Sequence, residues 1–104
     1  MQVTVVYFEG CPSWREAGHR MRLALEQAGK ADVAIAFAPV ATQAEAAAAG
    51  FRGSPTILVD GADLFPGMPE QTGLSCRLYA TAGGVVGVPE LANLTSALER
   101  RLSS

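Results

Sequence analysis

Two cysteines carry most of the chemistry open to this chain. Cys11 stands in Glu9-Gly10-Cys11-Pro12-Ser13-Trp14, and Cys76 stands in Gly73-Leu74-Ser75-Cys76-Arg77. Cysteine reacts as the thiolate, and a helix N-terminus favours that form through its unpaired N–H groups and the positive end of its dipole. Proline fits the first helical position, so Pro12 predicts a helix that begins beside Cys11. The other polar residues offer less. Glu9 is the acid nearest to Cys11. His19, the one histidine, lies eight residues further along the same helix, about 12 Å away along its axis, and reads as a surface residue. Ser13 reads as a first-turn residue rather than a nucleophile. Asp60 and Asp63 fall in a hairpin without a matched partner, and no chemistry is assigned to them. Two cysteines and one histidine are too few for a tetrahedral zinc site, and two cysteines are too few for an iron–sulfur cluster. No metal and no cofactor are expected.

The elements that must hold Cys11 are readable on either side of it. Val3 to Phe8 is a run of β-formers suited to a strand buried on both faces. Residues 12–28 read as a helix, with Ala17, Met21, Ala24, Leu25 and Ala28 on one apolar stripe and Gly29 as the stop. Asp32 to Phe37 is a second strand. Thr42-Gln43-Ala44-Glu45 is a capping box that opens a short alanine-rich helix ending at Gly50. Gly53-Ser54-Pro55 is a turn into a third strand, Thr56 to Val59. Asp60-Gly61 is a hairpin signal, and Ala62 to Phe65 is the short returning strand. Residues 66–75, with two prolines and two glycines, read as a loop. Cys76 to Thr81 and Val85 to Val88 look extended around Gly83-Gly84. Pro89 opens a last helix carrying Leu91, Leu94, Leu98 and Leu102 at helical spacing.

The order is β-α-β-α-β-β-α. The first βαβ unit predicts a right-handed parallel crossover, and the third strand begins an antiparallel edge. The fold class is α/β, a mixed four-stranded sheet with helices on both faces, in a single domain over residues 1–104.

Composition narrows the partners. The net charge is −2, which gives no electrostatic case for nucleic acid or an anionic membrane surface. No apolar run approaches the roughly 20 residues of a membrane span. The sequence shows no secretory leader, so a cytoplasmic protein is expected. A reducing compartment argues against a structural disulfide as the default.

The strand leading into Cys11-Pro12-Ser13-Trp14, and the Ser54-Pro55-Thr56 turn before the third strand, resemble the thioredoxin-like superfamily. The topology is similar over nearly the whole chain, and the residue match rests on those two segments. The resemblance implies that the Ser54–Pro55 bond is cis and lies beside Cys11, and that the backbone at Ser54 pairs with a bound substrate. One departure matters. Redox-active members carry Cys-x-x-Cys, and here Trp14 stands at the fourth position.

Three uses of Cys11 stay open. It acts alone, with an external thiol such as glutathione resolving the mixed disulfide and Arg15 or Arg52 holding a carboxylate of that thiol. Or Cys76 resolves it, which requires the two Cα atoms within roughly 4.4–6.8 Å; otherwise Cys76 is a small buried hydrophobe. Or both thiolates form a soft-metal or organomercurial site, similar to small alkylmercury-lyase-like proteins of this fold, with Glu9 as the acid. Trp14 is either one wall of a substrate groove or a core residue. The expectation is a thiol–disulfide oxidoreductase-like protein with Cys11 and Cys76 as its redox residues. Pro12, Trp14, Arg52, Ser54 and Pro55 shape its substrate site. Its partner is a protein or small-molecule thiol or disulfide. The protein is a monomer or a homodimer, with the 62–65 edge and the 66–75 loop as its dimer surfaces. The rival is a thioredoxin-fold binding module without catalysis.

Overall fold

The computed structural model describes residues 1–11, 13–49, 51, 53–66, 79–81 and 84–103. Its elements run β1 (Val3–Tyr7), α1 (Trp14–Gln27), β2 (Ile35–Pro39), α2 (Gln43–Ala49), β3 (Thr56–Val59), β4 (Ala62–Asp63), β5 (Tyr79–Thr81), β6 (Gly84–Val86) and α3 (Leu91–Ser103). A mixed sheet in the order β2-β1-β3-β4 forms the centre, and β5 and β6 make a separate antiparallel pair. The central strand β1 is parallel to β2, with Val3 opposite Ile35, and antiparallel to β3, with Val3 opposite Val59.

Alternation along β1 sends its residues to two cores. Val3 joins Met21, Ala24 and Leu25 of α1 and Leu94, Ala97 and Leu98 of α3, with Ile57, Val59 and Tyr79. Val6 faces the other way, into a smaller cluster with Val40 and Ala46 of α2. The sheet is thus covered on both faces, as the sequence predicts.

Several boundaries differ from the sequence reading, each for a local reason. The second strand is Ile35–Pro39, not Asp32–Phe37. Residues 30–33 form a turn, with Val33 N–H on the Lys30 carbonyl, and Arg22 of α1 donates to the carbonyls of Ala31 and Val33. The fourth strand is only Ala62–Asp63; Leu64 N–H still bonds the Ile57 carbonyl at 2.9 Å, and the chain then turns, with the Asp63 carboxylate taking the Phe65 N–H at 3.0 Å. The third strand begins the antiparallel edge as expected, pairing antiparallel with β1 and, through the hairpin, with β4. The hairpin β5-β6 is an addition to the expected order. The last helix begins at Leu91 rather than at Pro89, with the Asn93 side chain accepting the Glu90 N–H.

Other local signals read correctly. Asp60 and Gly61 both have positive φ, 53° and 82°, the conformation of a type I′ turn. Gly29, at φ 76°, closes α1, and Lys30 N–H reaches back to the Leu25 carbonyl at 2.7 Å. At the start of α2 the Thr42 hydroxyl accepts the Glu45 N–H, while the Glu45 carboxylate takes the Ala41 N–H, one residue before the cap.

Candidate functional site

The end of β1 delivers Cys11 into a tight turn. Cys11 N–H bonds the Phe8 carbonyl at 2.9 Å. The Phe8 ring packs close over Gly10: a Cβ there would stand 2.5 Å from its Cε2, so the ring would have to shift. Cys11 is 1% exposed and disulfide-bonded. The other cysteine of the chain, Cys76, lies outside the described residues, as do Pro12 and Arg52.

Cys11 is not on the first turn of a helix. Helix α1 begins at Trp14, and its N-cap, Ser13, makes no side-chain capping bond. Cys11 therefore stands two residues ahead of the cap. The dipole's influence falls off within the first turn, so the field expected at Cys11 is weaker than the sequence suggests.

What faces the sulfur is the loop before β3. Cys11 Sγ lies 3.6 Å from the Ser54 carbonyl oxygen. In the disulfide the sulfur has no proton to give; the reduced thiol can donate one to that oxygen. Ser54 is fully buried, and its hydroxyl oxygen accepts the Phe8 N–H at 3.0 Å. Ser54 thus ties its loop to the turn that carries Cys11. The Ser54–Pro55 bond is cis. Gly53, at φ 109°, takes a conformation that favours glycine, and its carbonyl accepts the Thr56 hydroxyl at 2.6 Å. The Pro55 carbonyl accepts the hydroxyl of Tyr79. The carbonyls of Gly53, Ser54 and Pro55 thus each meet a different side chain, which fixes the loop against the sulfur.

Trp14 packs against the core on one side and is half-buried. Its ring stacks on buried Tyr7, with centroids 4.0 Å apart and planes at 17°. Phe37 meets it edge-on at 5.6 Å, and the Arg15 guanidinium lies over it at 4.9 Å. One side is therefore core, and the other is a half-buried surface bearing a cation. Arg15 is exposed and lies on this ring.

His19 and Glu9 are exposed. Among the described residues no three His, Cys, Asp or Glu side chains are grouped to hold a metal ion. The carboxylate of Asp60 accepts the Gln2 N–H at 2.8 Å and so closes the sheet.

Some residues of this site escape sequence reasoning. Tyr79 arrives on the β5-β6 hairpin, whose docking no local pattern announces. Gly87 had a usable signal, a glycine inside an apparent valine-rich strand, which often marks a close backbone approach. A Cβ at Gly87 would stand 3.0 Å from Ser13 Oγ, so this segment runs beside the start of α1. Arg20 holds the same segment by donating to the Pro89 carbonyl at 3.0 Å.

No helix among the described residues is long and apolar enough to cross a membrane. Comparison with family models, curated proteins and solved structures finds no match for this chain.

Proposed function

We propose that the chain is a thiol–disulfide redox protein of thioredoxin-like fold, in which Cys11 exchanges with a partner and Cys76 is its second sulfur. The observation that carries this reading is the state and place of Cys11. It is disulfide-bonded at the end of the central strand, with the Ser54 carbonyl against its sulfur. Two cysteines in the chain leave Cys76 as the intramolecular partner. The cis bond at Ser54–Pro55 agrees with what the family resemblance implies.

The reaction balances as follows. The reduced Cys11 thiolate attacks a partner disulfide, forms a mixed disulfide and expels one partner thiolate. The Cys76 thiolate then attacks the Cys11 sulfur and expels the second. The partner gains two electrons and two protons, and the chain keeps the Cys11–Cys76 bond. Trp14, Pro12, Arg52 and the Ser54–Pro55 loop shape the surface where the partner lies.

A second reading is favoured by one observation, the 1% exposure of Cys11. A buried sulfur is poorly placed to meet a partner, and a binding module stapled by an inert disulfide fits that burial.

Intact mass and thiol counting separate the two, before and after equilibration in glutathione buffers of graded potential. The redox reading predicts a reversible change of two hydrogens in the monomer, with both thiols appearing together. It also predicts that Cys76→Ser accumulates a glutathione adduct on Cys11. A bond that stays oxidised throughout the range supports the inert staple. Two thiols that titrate independently would remove Cys76 from the mechanism.

A further inference from the structure

Among the described residues, nothing pairs with the outer edge of β2 over a short, sharply bounded stretch. Val40 N–H bonds the Tyr7 carbonyl at 2.8 Å, which fixes the pleat. Residues 36, 38 and 40 therefore turn their backbone groups toward β1, and residues 35, 37 and 39 turn theirs outward. Beyond both ends of the strand the chain satisfies the next outward groups itself. Val33 donates to the Lys30 carbonyl and accepts from Arg22, and Ala41 N–H is taken by the Glu45 carboxylate. Between them stand Ile35, Phe37 and Pro39, on a strand with exposed Ala36 and Pro39 and with Phe37 45% exposed.

Charged residues, a usual protection of an edge, are missing from this one. From Ala34 to Val40 the sequence holds no lysine, arginine or carboxylate. Proline stands at its last position only. The strand β4 at the other edge has two residues, too few for the same role.

We propose that this edge pairs with the same edge of a second copy of the chain, antiparallel, about a two-fold axis through Phe37. That register suits the available groups. The two Phe37 residues exchange both of their backbone bonds. Each Ile35 N–H meets the opposing Pro39 carbonyl, and proline, which lacks an N–H, lies where it forgoes only a bond to the partner. Both outward donors of the strand are used. No like charges meet along the seam, because the seam has none. The half-exposed Phe37 rings, both on the α1 side of the sheet, come together and lose their remaining water contact. The result is one continuous sheet through both copies. An isologous contact of this kind closes on itself and leaves β4 as the outer edge.

Amide hydrogen exchange across a dilution series, with sedimentation on the same samples, tests this. Dimerisation on this edge predicts that the Ile35 and Phe37 amides slow by about tenfold or more as dimer forms. Both exchange quickly in the dilute monomer, since they point away from β1. Ala36→Lys puts a charge on the seam without touching the core and is expected to yield monomer with the same folded spectrum. Phe37→Glu is also expected to yield monomer, with the Trp14 emission altered because the ring beside it is gone. A wild-type protein that sediments as a monomer at all concentrations overturns the proposal. So does a dimer whose Ile35 and Phe37 amides remain unprotected, or one that survives Ala36→Lys; an extended peptide of another protein is then the occupant to try on this edge.

Discussion

Ser54→Ala removes the oxygen that accepts the Phe8 N–H and leaves the Ser54 carbonyl beside Cys11 in place. A buried donor left without its acceptor costs about 1–3 kcal/mol. The oxidised variant is expected to lose stability in that range, read from urea unfolding; an unchanged midpoint would show that Phe8 finds another acceptor. Gly18→Ala sets two effects of similar size against each other. A helix-interior glycine costs about 1 kcal/mol relative to alanine. The added methyl would stand 2.6 Å from the Phe37 ring, which must then leave. Because that ring is already 45% exposed, moving it forfeits only roughly 1–1.5 kcal/mol of burial. The expected stability change is within about 1 kcal/mol of zero. The Trp14–Phe37 contact is lost all the same, and the emission of Trp14, the only tryptophan, is expected to change.

Among the elements, the β5-β6 hairpin is joined to the loop before β3 by the Tyr79 hydroxyl on the Pro55 carbonyl. Tyr79→Phe keeps the buried ring and deletes that bond. It is expected to cost about 1–2 kcal/mol in urea unfolding and to loosen the loop against Cys11, speeding reduction of the disulfide by dithiothreitol. An unchanged reduction rate would mean that the loop is held by Ser54 and Thr56 alone. How far such elements can be read in advance depends on where their cause lies. Thr56–Val59, the Asp60-Gly61 turn, the Gly29 stop and the capping box at Thr42 are set by neighbours in sequence, and all were legible there. The ends of β2 and β4 were not, because Arg22 and the Asp63 carboxylate bend the chain there by holding backbone groups on the outer side of each strand, which a strand pattern does not show. At the site, the cysteine turn and the Ser54-Pro55 loop were legible as motifs. The contacts of Tyr79 and Phe37 depend on distant segments meeting, which no local pattern encodes, and the glycine at 87 signalled a close approach without saying to what. The start of α1 at Trp14 rather than at Pro12 belongs with these, since Ser13 lies against the Gly87 segment.

At the scale of the whole molecule, the proposed Cys11–Cys76 bond closes a loop that spans most of the chain. Chain entropy then predicts about 4 kcal/mol of stability from it. Reduction is expected to lower the urea unfolding free energy by roughly that amount, compared with and without dithiothreitol; a change near zero would argue that the ring is not closed by these residues. The two sides of the sheet are unequally insulated. The side under α1 and α3 holds a broad core, whereas the α2 side has three buried residues, Val6, Val40 and Ala46, with Ala38, Ala49, Phe51 and Leu58 only partly buried around them. The α2 side is therefore the one that breathes at low cost, and it leads directly into the loop carrying Ser54. A reagent need not wait for global unfolding to reach a sulfur that is 1% exposed; it can enter when this quarter of the molecule opens. Ala46→Gly, which weakens α2 by about 1 kcal/mol, is expected to raise the rate of disulfide reduction about fivefold. The matched change Ala97→Gly in α3 is expected to lower overall stability and leave that rate nearly as it was. Burial at Cys11 then acts as a clock that sets how often the sulfur is available, with α2 as its escapement.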